Sequence, residues 1–449
     1  MKQSKEEKMS SEFRLGKQVI HLIFIAIFSS IQLVLLTSCE DEPVVETKEN
    51  DLVATFGLKT LGSIPYPLDN QPSYERIALG RLLFYDPILG GEKDVACGTC
   101  HHPDFGFSDG RQLPAGASGI GLGPNRILTS SYISGEPIDL TPRNSPTCYN
   151  IAYNFDGGVS SHNGVQFWDG RLNSIEKQAS KPITSRVEMR GDAYPGTNEE
   201  AARVALDSVL ARLRAIEEYV IRFCTAFPIE ADEWDRGTRE HVIDSSTYVR
   251  SIASFERELV TINSPYDRFV RGEEDALNNF QKKGLELFFT KAKCSRCHNG
   301  PMFSDYSFIC QGVPQLGPGK DVIPGDDTGR EEHTKNLTDR YKFRTPTLRN
   351  IELTPPYMHD GVFATLEQVV RFYNDGCNPR HPQVTDIMME PESIQPLGLS
   401  DNEVLAIVEF LKALTDPGIG LQSYMLTVPE RVPSGLTPLY GWRGPGSGD

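Results

Sequence analysis

The sequence predicts a mainly α-helical fold with long loops. Three segments open with a helix-capping pair and continue with apolar residues at helical spacing, and no segment alternates polar and apolar residues over a sustained stretch. The capping pairs are Thr197 with Glu200, Thr365 with Gln368, and Ser400 with Glu403. Gly/Pro-rich stretches at 115–125 and 311–327 predict long loops between helices.

The apolar residues after each capping pair indicate how far the helix runs. The first pair precedes a long amphipathic segment that ends at Phe223. The second precedes Val369, Val370 and Tyr373, and the third precedes a stripe that stops before Pro417. That stripe consists of Val404, Ile407, Val408, Leu411 and Leu414.

Composition limits the classes of function. The chain has 449 residues, 39% of them hydrophobic, which excludes a disordered protein and suggests two or three domains. With 45 basic against 61 acidic residues the net charge is −16, which argues against nucleic acid as a partner. An acidic surface instead favours a basic protein partner or a neutral small substrate.

The N-terminus resembles an export signal. A basic leader precedes a mostly apolar run from Val19 to Leu36, and the run ends in Leu36-Thr37-Ser38-Cys39. This ending resembles the lipobox of bacterial lipoproteins, in which the Cys becomes the lipidated first residue. The alternative is an uncleaved anchor helix, because the run just reaches spanning length. Either interpretation places the rest of the chain outside the cytoplasm.

One module occurs twice in the chain. Each copy has a helix with apolar residues, then Cys-X-X-Cys-His, then Phe-Ser-Asp. The first copy comprises Gly80–Phe84, Cys97–His101 and Phe107–Asp109, and the second Gly284–Phe288, Cys294–His298 and Phe303–Asp305. The helices carry Ile77, Leu83 and Phe84 in the first copy, and Phe280, Leu285 and Phe288 in the second.

Cys-X-X-Cys-His is the attachment signature of haem c. Two thiols add to the haem vinyl groups, and the following His ligates the iron. The sequence therefore predicts covalent attachment through Cys97, Cys100, Cys294 and Cys297, with His101 and His298 as iron ligands. A zinc site would not require a His after each second Cys, and a thioredoxin-type site lacks a βαβ context.

Four further cysteines outside the leader have no predicted function. They are Cys148, Cys224, Cys310 and Cys377. In an oxidising compartment they could form two disulfides, in any of three pairings, or stay buried as small apolar side chains.

Four further motifs, in family order around the two haem signatures, resemble the bacterial dihaem cytochrome c peroxidase / MauG family. They are Arg143-Asn-Ser-Pro-Thr147, Phe167-Trp-Asp-Gly-Arg171, Val187-Glu-Met189 and Pro356-Tyr-Met-His-Asp-Gly361. The resemblance runs from about Leu61 to Thr415, and Trp168, Gln178 and Glu188 follow each other at intervals of ten residues.

The resemblance implies a set of roles around the first haem. Glu188 is implied as the distal acid/base, Gln178 as the amide that orients peroxide or water, and Pro182 as part of that pocket's wall. Trp168 matches the indole that lies between the two haems and relays electrons. A solvated Glu, a surface Gln, a helix-ending Pro and a core Trp are the structural alternatives.

The resemblance also implies a calcium ion between the domains, bound by oxygens of Asn144, Thr354 and Pro356. A capping Asn and a Thr-Pro-Pro turn are the alternatives for these positions.

The second axial ligands separate the branches of the family. Many family peroxidases carry a distal His soon after the first attachment motif, but the stretch 103–125 contains none, and His102 is adjacent to the proximal ligand. His162 is the next candidate and is expected to be a loop residue. The first haem is therefore expected to be open.

On the second haem the family's distal ligand lies nineteen residues after the calcium-binding Thr, which here is Tyr373. MauG-like proteins have Tyr at this position, whereas peroxidases tend to have Met. Met358 is the local competitor, because a thioether is the usual partner of His in electron-transfer cytochromes.

The resemblance implies a dihaem peroxidase that reduces hydrogen peroxide with electrons from a small c-type cytochrome or cupredoxin, and the N-terminal leader with its lipobox predicts that it is periplasmic and lipid-anchored. A MauG-like oxidase that modifies a partner protein and a non-catalytic electron carrier or haem sensor are the competing hypotheses. A homodimer is left open.

The predicted organisation has two cytochrome c-like helical domains that meet near Pro265. The segments are an export signal and lipobox at 1–39, an acidic tether at 40–60, a domain with the peroxidatic haem at 61–265, a domain with the electron-transfer haem at 266–420, and a Gly/Pro-rich tail at 421–449, either an extended arm or disordered.

Overall fold

The computed structural model describes residues 51–154, 164–228, 239–316, 326–418 and 427–439. The predicted export signal, the lipobox at Cys39 and His162 lie outside these residues and stay predictions. The described residues from Leu52 onward belong to one compact unit. Among the described residues, no helix is both long and apolar enough to span a membrane.

Helices dominate the described chain, as the sequence predicts. They are α1 (Leu52–Phe56), α2 (Tyr74–Tyr85), α3 (Cys97–Cys100), α4 (Ile175–Ala179), α5 (Asn198–Arg214), α6 (Glu217–Ala226), α7 (Ser245–Arg257), α8 (Pro265–Val270), α9 (Asn279–Phe289), α10 (Glu331–Thr334), α11 (Leu366–Asn374) and α12 (Asp401–Lys412).

Shorter elements fill the connections. Single 3₁₀ turns span Pro87–Leu89, Pro103–Phe105, Gly123–Asn125, Ile151–Tyr153, Pro182–Thr184, Arg239–Val242, Glu274–Ala276, Cys294–Arg296, Leu337–Asp339, Ile351–Leu353 and Asp386–Met388, and Arg186–Arg190 is a π-helix. Two antiparallel pairs join β1 (Gly119–Ile120) to β2 (Ile127–Leu128) and β3 (Phe308–Ile309) to β4 (Phe343–Arg344).

The three predicted capping boxes are confirmed at the starts of α5, α11 and α12. In each box the hydroxyl of the capping residue accepts a hydrogen bond from the backbone N–H three residues later. The side chain of that later residue accepts a hydrogen bond from the backbone N–H of the capping residue. The helix after Thr197 is shorter than predicted, because the chain breaks at Ala215 and Ile216 before α6 begins. The break lets both Leu213 and Tyr219 become fully buried.

Two hydrophobic cores lie on either side of Pro265. The first contains buried residues from Leu79 to Leu259, and the second contains Leu58 and residues from Tyr266 to Leu414. This distribution agrees with a boundary near Pro265, although the domain limits themselves stay a prediction.

The repeated modules pack their helices in the same way. A Cβ atom at Gly80 of α2 would lie 1.9 Å from the backbone oxygen of Ser251 in α7, and one at Gly284 of α9 would lie 1.9 Å from that of Ala406 in α12. Glycine therefore allows each helix pair to cross in close contact. Aromatic rings fill both crossings, with Phe84 against Phe255 and Phe288 against Phe410.

Phe280 was predicted to lie on the apolar stripe of the second module, and this is wrong. Its side chain is 42% exposed, because it stands in the first turn of α9, before the helix reaches the core. Leu285 and Phe288 are buried as predicted.

Both ends of the described chain pack on the modules. Residues 427–439 form an extended arm on the first core, where Leu439 N donates to Tyr85 O (3.1 Å) and Thr99 Oγ1 donates to Leu439 O (3.0 Å). At the other end the predicted tether differs from the structure from Leu52 onward. There α1 stacks the Phe56 ring on Phe289, with centroids 4.9 Å apart, so apolar contact orders this segment.

Cys148, Cys310 and Cys377 are buried and form no disulfide. Cys310 and Cys377 belong to one small core cluster with Tyr341 and Phe372. Of the alternatives left open by the sequence, Cys148, Cys310 and Cys377 thus follow the second, that of buried small apolar side chains.

Candidate functional site

Two cavities lie beside the two Cys-X-X-Cys-His motifs. The cavity of the second module has a volume of about 620 Å³, and that of the first module has a volume of about 140 Å³. We call them the second and the first cavity. They share seven lining residues, which are Asn144, Ser145, Pro146, Thr147, Asn154, Trp168 and Arg344.

The first attachment motif forms one wall of the first cavity. Cys97 and Cys100 are the ends of α3, His101 follows directly, and all three line the cavity. The Nδ1 atom of His101 lies 3.1 Å from the carbonyl oxygen of Phe107, to which it can donate a hydrogen bond. That bond leaves Nε2 as the free nitrogen, the usual arrangement of a metal-binding imidazole.

The second motif repeats this arrangement at Cys294, Cys297 and His298, which line the second cavity. Here Nδ1 of His298 lies 2.9 Å from Phe303 O. Phe107 and Phe303 both have left-handed backbone conformations, with φ of 55° and 51°, and this turn aims each carbonyl at its histidine. Burial lowers the pKa of both histidines and so favours the neutral, metal-binding form.

The donor chemistry of both cavities fits haem c. Each supplies two thiols, an imidazole with a free Nε2 and a mostly apolar wall. In the part of the chain that the structure describes, no group of three or more His, Cys, Asp or Glu side chains could hold a metal ion, so the Cys pairs do not form a zinc site there.

The predicted distal residues meet in the first cavity. Gln178 of α4, Pro182 and Glu188 all line it, together with Trp168. The Oε1 atom of Gln178 is buried and has no hydrogen-bond partner among the described residues. A buried acceptor without a partner is costly, so this oxygen is available to a bound ligand.

Glu188 stands on the π-helix Arg186–Arg190, a rare element that is often found at functional sites. The loop at Gly116 packs directly on its backbone, since a Cβ atom at Gly116 would lie 2.3 Å from Glu188 O. Glycine at 116 thus lets this loop close on the segment that carries the carboxylate.

His101 is the one described histidine that lines the first cavity. The imidazole of His102 is engaged elsewhere, where its Nδ1 accepts a hydrogen bond from Asp104 N at 3.2 Å. The open first site stays a prediction.

Trp168 separates the two cavities. Its indole Nε1 donates to Asn144 O (2.9 Å), and its own carbonyl accepts from Arg344 N (2.7 Å). Asn144 thus orients the indole ring, and Arg344 holds the backbone of Trp168. Both residues also line the two cavities.

Both candidates for the second axial ligand line the second cavity. The phenol of Tyr373 lies close enough to Cys294 and Cys297 to interact with them electrostatically, and burial raises its pKa strongly. Met358 and Tyr373 both pack against the small core cluster that contains Cys310 and Cys377. The proximity to the attachment cysteines supports Tyr373.

The predicted calcium ligands Asn144, Thr354 and Pro356 line the second cavity together. The Nδ2 atom of Asn144 donates to Arg111 O (2.7 Å), which orients the side-chain amide. Neutral oxygens of this kind suit calcium.

Two lining residues were not found from the sequence. Arg344 is buried between the cavities, and its Nη1 has no hydrogen-bond partner among the described residues. Extending the repeat would have found it, because Arg344-Thr-Pro-Thr347 matches Asn144-Ser-Pro-Thr147. Glu256 is a buried carboxyl in the first cavity, and no pattern in one sequence distinguishes it from an ordinary helical Glu.

Comparisons with known proteins agree with this geometry. Residues 74–275 match the family model described as di-haem cytochrome c peroxidase. The chain is 33% identical over 382 residues to cytochrome-c peroxidase IdrP1 of Pseudomonas sp. (strain SCT), which covers 80% of this chain and 85% of that protein. It is 32% identical over 355 residues to the methylamine utilization protein MauG of Methylorubrum extorquens, with 78% and 81% covered.

A crystal structure of a MauG-like protein associated with microbial copper homeostasis superposes with a TM-score of 0.65 at 28% identity, over 83% of this chain and 98% of that one. The chain therefore belongs to the family of dihaem cytochrome c peroxidases, oxidoreductases with two c-type haems.

Proposed function

We propose that this protein is a peroxidase that reduces hydrogen peroxide to water with electrons from a small cytochrome c or cupredoxin. The observation that carries the proposal is the first cavity, where Glu188 and the unpartnered Oε1 of Gln178 line the same space as His101. When bound, haem c supplies an iron that takes an oxygen ligand and exchanges electrons.

Each haem would be held by the residues of one module. Cys97 and Cys100 would hold the first and His101 would be its iron ligand, while Cys294, Cys297 and His298 would serve the second. The hydrogen bonds from Nδ1 to Phe107 O and Phe303 O would fix the two imidazole rings.

Gln178 and Glu188 would have different roles toward peroxide, the first in orientation and the second in proton transfer. Gln178 Oε1 would accept a hydrogen bond from the peroxide O–H group and so orient the molecule. Glu188 would take a proton from one peroxide oxygen and return it to the other, which leaves as water. Pro182 would limit the space available beside them.

Trp168 would connect the two haem sites. Its position on both cavities, held through Asn144 and Arg344, supports a role in passing electrons from the second site to the first. Calcium bound by Asn144, Thr354 and Pro356 would stabilise the same boundary, since Asn144 is also the acceptor of the Trp168 N–H.

The replacement Glu188→Gln tests the proposal. It keeps the size of the side chain but removes the proton carrier, so peroxidase turnover should fall by about a hundredfold or more with haem content intact. Glu199→Gln is the matched control, because Glu199 is an exposed residue of α5 and should change nothing. Unchanged turnover in Glu188→Gln would refute the assignment.

A MauG-like oxidase that modifies a partner protein is the second candidate. The position of Tyr373 in the second cavity favours it, because iron coordination would give a phenolate, and a phenolate ligand would lower the potential of the haem and make it a poor electron reservoir. This candidate predicts poor turnover with ferrocytochrome c and long-lived oxidised haem with peroxide alone. A simple electron carrier gives no role to the unpartnered oxygen of Gln178.

The proposal also includes the cellular location, the domain arrangement and the charge of the electron donor. The leader and Cys39 support a periplasmic protein anchored by lipid, with one cytochrome c-like domain on each side of Pro265. The net charge of −16 supports a basic electron donor.

A further inference from the structure

Tyr341, Asp326 and His381 form a cluster of polar side chains that the proposed mechanism does not use. The phenol of Tyr341 donates to Asp326 Oδ2 (2.6 Å), and the other carboxylate oxygen, Oδ1, lies 3.2 Å from His381 Nε2. The rings of Tyr341 and His381 are in contact, with centroids 4.9 Å apart. Tyr341 N also donates to Thr328 O (2.8 Å), so the backbone holds the tyrosine beside the segment that carries Asp326.

This group stands at the second haem site. Tyr341 and His381 both line the second cavity, together with His298. Tyr341 is 4% exposed and belongs to the small core cluster against which Met358 and Tyr373 pack. The phenol is therefore enclosed in the same part of the molecule as both candidate axial ligands.

Other tyrosines with a carboxylate partner are found elsewhere. Tyr66 donates to Glu258 and Tyr219 donates to Asp86, each at 2.5 Å, but neither tyrosine lines the first or the second cavity. Within the described chain, Tyr341 combines the carboxylate partner with a place at a haem site.

A phenol beside a carboxylate can lose an electron more easily than an isolated phenol. Removing an electron makes the O–H group strongly acidic, so its proton has to leave in the same event. A carboxylate oxygen at 2.6 Å is within the distance at which a positioned base accepts a proton. The second oxygen of that carboxylate, Oδ1, lies 3.2 Å from His381 Nε2, so the imidazole packs beside the base.

We propose that Tyr341 is a redox-active residue that donates one electron to the second haem after peroxide has oxidised it. The inference rests on the proposed function, because peroxide is the oxidant. One electron moves from the phenol to the haem, the Oη–H bond breaks, and the proton moves to Asp326 Oδ2, which leaves a neutral tyrosyl radical and a neutral carboxylic acid. An electron from the external donor and the return of the proton restore the phenol.

The experiment is electron paramagnetic resonance of the holoprotein frozen shortly after one equivalent of hydrogen peroxide, without donor. We expect an organic radical signal. This signal should narrow when the protein is produced with ring-deuterated tyrosine. The signal should be lost in Tyr341→Phe and kept in Tyr219→Phe, the matched control with the same kind of Tyr–Asp pair.

Asp326→Asn tests the proton transfer without removing the ring. It should slow radical formation by about tenfold or more, because the carboxylate base is gone. A tyrosyl signal that persists in Tyr341→Phe, or no radical although the ferric haem signals decay, would overturn the inference and leave the peroxidase proposal standing. Ferric signals that peroxide does not change would overturn both.

Discussion

At the scale of single residues, Glu256 combines burial with a carboxyl group in the first cavity. Its side chain is buried, and its Oε2 has no hydrogen-bond partner among the described residues. Burial raises the pKa of Glu256 from 4.5 to about 8, because the charged form loses its hydration. The neighbouring Arg257 opposes this shift but does not cancel it.

The raised pKa of Glu256 predicts a pH-dependent stability. The native state binds a proton that the unfolded state releases above pH 4.5, so the contribution to the free energy of unfolding is complete below that pH and is lost as the pH rises through about 8. Glu256→Gln should flatten the fall in melting temperature of the holoprotein across this interval. An equally steep fall in the variant would contradict the assignment.

Site residues could be predicted where they belong to a sequence motif. They could not be predicted where only tertiary packing brings them to the site. The Cys-X-X-Cys-His motifs could be identified because haem attachment requires fixed residue types at fixed spacing, and Gln178, Glu188 and Trp168 were singled out because the family resemblance implies their roles. Glu256 and the pair of Tyr341 with Asp326 could not, because a carboxylate becomes unusual only when tertiary packing removes its water.

At the scale of elements, each module depends on one close helix crossing. Gly80 and Gly284 stand where α2 meets α7 and where α9 meets α12, and in both cases a methyl group would collide with backbone of the partner helix. The sequence revealed both glycines as members of the repeat. The sequence did not reveal which helices cross at these glycines, because contacts between distant segments leave no periodic pattern in the sequence.

The crossing predicts a strong effect of Gly284→Ala. The new Cβ atom would lie 1.9 Å from Ala406 O, so α9 has to move away from α12, which should destabilise the second module by about 1–3 kcal/mol. Thermal unfolding followed at the second haem measures this loss. Gly62→Ala is the control, because a Cβ atom there meets no atom within 4 Å. Equal melting temperatures for both variants would refute the close crossing.

At the scale of the whole molecule, the C-terminal arm joins the end of the chain to the first module. Ser434 Oγ donates to Asp86 Oδ1 (2.6 Å), Arg81 Nη2 donates to Thr427 O (2.6 Å), and Leu439 packs on the first core. The Gly/Pro content suggested an extended arm or disorder, and composition alone could not show that residues 427–439 have a binding surface on α2 and α3.

These contacts predict that residues 427–439 stabilise the first haem site. Deleting residues 427–449 removes a buried Leu and several hydrogen bonds, so it should lower the free energy of unfolding by about 2–4 kcal/mol. Thermal unfolding followed at the first haem would measure the change. Deleting only 440–449 keeps the described contacts and serves as the control, and equal losses in both truncations would contradict the role of the arm.

The central claim is an open first haem site in which peroxide reacts beside Glu188 and Gln178. It is tested most directly by the electron paramagnetic resonance spectrum of the diferric holoprotein before and after one equivalent of hydrogen peroxide. The account predicts one high-spin and one low-spin ferric signal, with the high-spin signal lost on addition of peroxide without prior reduction. Two low-spin signals that do not respond to peroxide until one haem is reduced would contradict it.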